Sequence, residues 1–332
     1  MADELDLLRA ADPVPDDHPR LGDGPLDQRA ERLLADLRRE PPARRRLRWP
    51  GLRPVVRSRP AWAVLAAVAA AVTLSLVVGG TATSPAVAAP RPLVVWADAT
   101  PVSLDELARR ARADAAVGGQ VLRKGTHVQS WSLAMSEDKP PITLPEERIV
   151  RWKPDGSHTE LVVATDPTHP GRPVLRDGED GPRLVEDGHV LSRRSYPRSW
   201  SDAPPQSPPP RDATRLRAWL QEAASEPEGL DTGTLLDAVE LMLDNWTLGA
   251  RESAALAELL AGTDGLRPAG RVTDRLGRQG LAYSYEERGL AHLLIMDPRT
   301  GAVLGLETTF TRADPRYGVR PGDVMAYSAW MR

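Results

Sequence analysis

The chain has no cysteine. Disulfides, cysteine-ligated zinc, iron–sulfur clusters and thiol catalysis are therefore excluded. Phenylalanine is almost absent, with Phe310 alone against nine tryptophans. Lysine is nearly missing too: of 43 basic residues only Lys124, Lys139 and Lys153 are lysines, a bias expected of a GC-rich genome. No Gly-rich phosphate loop, no Gly-x-Ser-x-Gly elbow and no histidine pair at metal spacing occurs. A net charge of -3 and a pI near 6.1 argue against direct nucleic-acid binding, which calls for a basic face or stripe. No catalytic residue, cofactor or metal site is assigned from the sequence.

One uncharged stretch stands out, from Pro60 to Pro90. Its apolar heart runs from Ala61-Trp62-Ala63-Val64-Leu65 through Val77-Val78 to Gly79-Gly80. About 20 mainly apolar residues suffice to cross a hydrocarbon core about 30 Å thick, so residues 60–80 are read as a transmembrane helix in contact with the lipid bilayer. Ala86-Val87-Ala88 resembles a signal-peptidase site, but secretory signals begin close to the N-terminus and sixty residues precede this run. Arg44, Arg45, Arg46, Arg48, Arg53, Arg57 and Arg59 crowd one flank without an acid among them. The positive-inside rule then puts residues 1–59 in the cytosol and the larger C-terminal part outside, at the cell membrane.

Within residues 1–59, Ala30, Leu33, Leu34 and Leu37 form an i, i+3, i+4, i+7 stripe that ends at Pro41-Pro42. So short a helix is marginal alone. Leu33, Leu34 and Leu37 either lie against lipid headgroups or dock a cytosolic protein. A short cytosolic binder tethered to an external sensor resembles the plan of bacterial anti-sigma factors, which implies a sigma factor or similar regulator as partner. The His/Cys zinc motif of their best-known class cannot be built here.

Residues 81–100 read as a tether and 101–332 as an extracytoplasmic domain. Ser103-Leu104-Asp105-Glu106 is a capping box opening a helix to about Ala116. Strands follow at His127–Met135, Glu147–Trp152 and His158–Ala164, the last two joined through Pro154-Asp155-Gly156. Shorter strands are predicted near Pro173–Leu175 and Gly188–Arg193, and residues 197–211 form a Pro/Ser-rich connector. Helices resume after Asp212, from about Thr234 to Trp246 and from about Glu252 to Leu260. Strand patterns return at Leu281–Tyr285, Leu290–Met296, Val303–Phe310 and Met325–Trp330. This order predicts an α+β fold: one transmembrane helix, then helices packed on a single antiparallel, half-barrel-like sheet.

Most of the tryptophans are expected in the core. A second reading has Trp131 and Trp152 lining an apolar groove for an envelope lipid, lipoprotein or peptide. His127 and His158 fall on neighbouring predicted strands, too few ligands for a metal.

The opening Asp3-Glu4-Leu5-Asp6-Leu7-Leu8-Arg9, the Arg-flanked span, Ala255-Leu256-Ala257-Glu258-Leu259-Leu260-Ala261 and Met296-Asp297-Pro298-Arg299-Thr300-Gly301-Ala302-Val303-Leu304-Gly305 carry a resemblance. They resemble actinobacterial single-pass membrane proteins of uncharacterised function, most closely over about 250–310. Thr263-Asp264 stands where those proteins more often have proline, and the resemblance implies no catalytic residue. The helix-then-meander order also looks loosely like lipoprotein-carrier and periplasmic sensor half-barrels.

Overall fold

The computed structural model describes residues 90–98, 100–178, 181–198 and 207–331. The expected cytosolic segment and the apolar run at 60–80 lie outside them, as do Leu33, Leu34, Leu37 and Arg44, Arg45, Arg46, Arg48, Arg57 and Arg59.

The α+β class with a transmembrane helix is corrected. The described residues form a mainly β structure dominated by one 11-stranded antiparallel sheet, with four helices of 11 to 13 residues. None of those helices is long and apolar enough to cross a membrane. The helices form a single short layer over one part of a long sheet, so strand pairing rather than helix packing sets the architecture.

The chain opens with β1 (Val95–Trp96) and α1 (Leu104–Ala116), followed by β2 (Arg123–Ser136), β3 (Lys139–Trp152) and β4 (His158–Ala164). A small hairpin of β5 (Val174–Arg176) and β6 (Arg183–Val185) precedes β7 (His189–Tyr196). Then come α2 (Ala213–Ala223), α3 (Thr232–Leu243), β8 (Trp246–Thr247) and α4 (Ala250–Ala261). The last group is β9 (Arg267–Thr273), β10 (Gln279–Glu287), β11 (Leu290–Met296), β12 (Val303–Phe310) and β13 (Val324–Trp330). In space the order is β1-β9-β10-β11-β12-β13-β2-β3-β4-β7, with β8 paired to β2. The two strand groups thus join one sheet, and β13 is the seam between them.

Local chemistry explains the helix starts. Ser103, Asp212 and Asp231 cap α1, α2 and α3, their side chains accepting from the backbone N–H of Glu106, Arg215 and Thr234. Glu106 does not complete a reciprocal box: its carboxylate pairs instead with Arg109 and Arg110. The prolines of β3 were the reason its first half reads as loop. Pro140 and Pro141 lie beyond the reach of β4, whose pairing with β3 starts at Glu146, so β3 has a strand partner on one side only there.

Strand alternation divides the core in two. Leu281, Tyr283, Leu294, Met296, Leu306 and Trp330 point to the helices and are buried under them. Val272, Ala282, Ile295, Leu304, Tyr327 and Ala329 point to the opposite face and pack with Trp131. The β11–β12 turn wedges between α1 and α4 through Gly301, which has φ +64°; a Cβ there would stand 2.8 Å from the Ala111 methyl and 3.2 Å from that of Ala257. Gly301→Ala is accordingly expected to cost about 1–3 kcal/mol through crowding and a left-handed backbone. A urea titration showing no loss would mean the turn does not insert between the helices.

Candidate functional site

The two tryptophans proposed for a groove are not brought together. Trp131 pairs with Pro145, and Trp152 lies an odd number of residues further along β3, so the two occupy opposite faces of the sheet. Trp131 is 3% exposed, its ring centroid 5.5 Å from that of Tyr327. Trp152 belongs to a row on the helix-bearing face: Lys124 Nζ sits 3.7 Å from its centroid, His158 stacks on it at 4.0 Å, and Tyr196 stacks on His158 at 4.5 Å. His127 and His158 are also on opposite faces, separated by β3, and His127 Nε2 instead meets Glu147 Oε1 at 2.5 Å. Among the described residues no group of acidic and histidine side chains could hold a metal ion.

The charged chemistry concentrates in two other places. Along α3, Asp237, Glu240 and Asp244 share one side of the helix. Burial pushes all three carboxyl groups above the usual range. Ser328 Oγ donates to Glu240 Oε1 at 2.7 Å, and the Trp330 indole donates to Asp244 Oδ1 at 3.0 Å. Arg148 reaches the same turn by donating to the Asp244 carbonyl at 3.0 Å. His292 is pushed below its ordinary value, chiefly by burial, with Asp237 and Glu287 opposing that shift. Glu240 and Asp244 thereby tie the helix layer to the sheet.

Their titration has a readable sign. A carboxyl raised in the native state binds its proton more tightly there than in the unfolded chain, so stability falls as pH climbs from the ordinary carboxylate pKa through the raised one. Glu240→Gln keeps an acceptor for Ser328 and removes the buried charge. It is expected to raise the melting temperature at pH 7, with the gain shrinking as pH falls towards 4. An equal effect at both pH values would show that Glu240 is not buried as a carboxylate.

The second place is where the leading segment meets the sheet, and it holds the most specific geometry. On the face away from the helices, Glu307 of β12 is 2% exposed. Burial pushes its carboxyl up, and the neighbouring Arg275 guanidinium opposes that. Arg275, in the β9–β10 turn, pairs with Glu307 and lies 5.0 Å from the Tyr327 ring, whose own phenol burial pushes upward. Residues 91–96 cross this pair. The Leu93 amide donates to Glu307 Oε1 at 2.8 Å, and Arg275 Nη2 donates to the Arg91 carbonyl at 2.9 Å. Leu93 and Val95 pack on the second core, while Val94 and Trp96 face outward at 65% and 55% exposure. Val95 and Trp96 then pair with Val272 and Arg271, making β1 the edge of the sheet.

Close approach here depends on one residue. Gly270 has φ +141°, and a Cβ on it would lie 2.2 Å from the Trp96 carbonyl oxygen. Only glycine lets β1 come this near. Arg271 Nε closes the far end on Asp98 at 3.0 Å. Sequence reading missed this site because β1 has only two residues in a stretch that reads as tether. Glu307 gave the one available signal: a charge inside an otherwise uncharged, strand-like run.

No family model and no curated protein matches the chain. Among solved structures, the dehydratase domain from the CurK module of Curacin polyketide synthase aligns over 69% of this chain and 79% of that one. Identity is 11% and the TM-score 0.10, too low to carry any argument about fold or chemistry.

Proposed function

We propose that the chain is a non-enzymatic regulator or sensor at the cell membrane. In this reading the described domain lies outside the cytosol, the apolar run at 60–80 is its attachment, and the segment before residue 60 docks a sigma factor or similar cytosolic partner through Leu33, Leu34 and Leu37. The observation that carries it is the seat of the leading segment. Within the described residues, the domain grips residues 91–96 through a buried carboxylate, a guanidinium and a strand pairing. In this reading a change inside the domain acts through that seat on the residues before it, a link that a passive anchor would not need.

The test is to cross-link the full chain in its native membranes, capture it and identify what comes with it by mass spectrometry. A variant with Leu33, Leu34 and Leu37 replaced by serine runs beside it. Enrichment of a sigma factor that disappears in the variant supports the reading. Identical backgrounds from both proteins reject it.

A further inference from the structure

We propose that the groove under residues 91–96 is a peptide-binding site, filled in cis by the leading segment and able to take an extended peptide of the same pattern in trans.

The groove has the parts a peptide site needs. Glu307 offers a carboxylate to one backbone amide, and Arg275 offers a guanidinium donor to a backbone carbonyl two residues earlier. The side of β9 that β1 covers supplies strand pairing at Val272 and Arg271, which gives affinity without reading sequence. Side-chain selection comes from the second core. It receives the apolar groups of alternate residues, Leu93 and Val95, and leaves those between them in solvent. Arg271 adds a preference for an acid three places after the second apolar residue, the position that Asp98 fills. The class of ligand is thus an extended segment reading apolar-x-apolar-x-x-acidic, laid antiparallel to β9 with its backbone against Gly270.

Two features make the occupant exchangeable rather than part of the permanent core. β1 pairs through two residues alone. The buried charges of the groove also pair with each other: when the segment leaves, Glu307 keeps Arg275 as its counter-ion. Trp131, Ile295, Tyr327 and Ala329 hold the second core together within the sheet itself. An emptied groove can persist as a folded state, with local opening below the free energy of global unfolding. This goes beyond the regulatory reading, since the groove can bind a peptide whatever partner the cytosolic segment has.

Native-state hydrogen exchange on the full chain tests it first. The Leu93 amide is expected to exchange at least about tenfold faster than amides of β10 and β11, through an opening that leaves those strands closed. Exchange of Leu93 only with global unfolding would overturn the proposal. The second measurement uses the full chain carrying Leu93→Asp and Val95→Asp, which empties the groove in cis. A fluorescent peptide with the sequence of residues 90–98 should bind this variant. It should bind the unaltered chain at least about tenfold more weakly, because the cis segment competes at high effective concentration. The same peptide with both apolar residues changed to aspartate should bind neither. A folded variant that ignores the peptide overturns the proposal, and so does a variant that cannot fold, because the segment would then be indispensable to the core. Both readouts are independent of the partner capture, so either idea can fail alone.

Discussion

Replacing Arg275 with alanine is expected to destabilise the domain by about 3–5 kcal/mol at neutral pH, because it strands a buried carboxylate. Glu307 would keep the Leu93 amide as a donor but lose the cation that offsets its burial. The loss should depend on pH in a defined direction. Removing Arg275 takes away an influence that holds the Glu307 carboxyl down, so its pKa climbs further above the ordinary value. A group raised in the native state contributes less as pH rises, so the variant should recover stability on acidification from 7 towards 4.5. Exchanging both partners together, as Arg275→Met with Glu307→Leu, should cost far less than either single truncation, since no charge is left in the core. Denaturant titrations of the three variants at two pH values decide the matter. A cost below about 1 kcal/mol for Arg275→Ala, the range of an exposed ion pair, would mean that the pair is not sealed from water.

The second large effect is expected at Trp330. Its ring is 5% exposed between the sheet and α3, its indole donates to Asp244, and its carbonyl accepts from Arg278 at 2.7 Å. Truncation to alanine should cost about 3–5 kcal/mol, the range for deleting a large buried aromatic. Trp330→Phe separates the contributions. It retains most of the packing and removes the single donor, leaving Asp244 unsatisfied at a cost of about 1–3 kcal/mol. Because burial already pushes the Asp244 carboxyl up, the penalty of Trp330→Phe should shrink as pH falls. A penalty that persists in acid would assign the loss to packing instead.

Much of the element order was legible. Ser103 and Asp212 announce their helices, Asp155-Gly156 marks the turn between β3 and β4, and the patterns over Leu281–Tyr285 and Leu290–Met296 mark β10 and β11. The fold class was not, because sequence patterns report elements but not how far pairing extends. Pro140, Pro141 and Pro145 concealed the length of β3, and with it the register that sends Trp131 and Trp152 to opposite faces. β9 was concealed by Pro268 and Gly270, which interrupt any alternation. Gly270 is also the residue that admits the leading segment, so the feature that builds the candidate site is the one that hides its strand. A short edge strand in a proline-rich tether and a lone glutamate within an otherwise uncharged run carry their meaning only once β9 and β12 lie in the same sheet.

The place of β13 bears on how the molecule is made. Its neighbours are β12, a hairpin partner close in sequence, and β2, almost the whole domain away. Contacts between such distant residues close slowly, since a long loop must be ordered before any pairing offsets that cost. On the ribosome, β2 emerges early and shows one open edge until β13 is synthesised, with Ser130 and Trp131 waiting for Ser328 and Tyr327. The early strands are thus exposed to mispairing for most of translation, and nascent chains halted before residue 324 should depend on chaperones in a way that the finished domain does not.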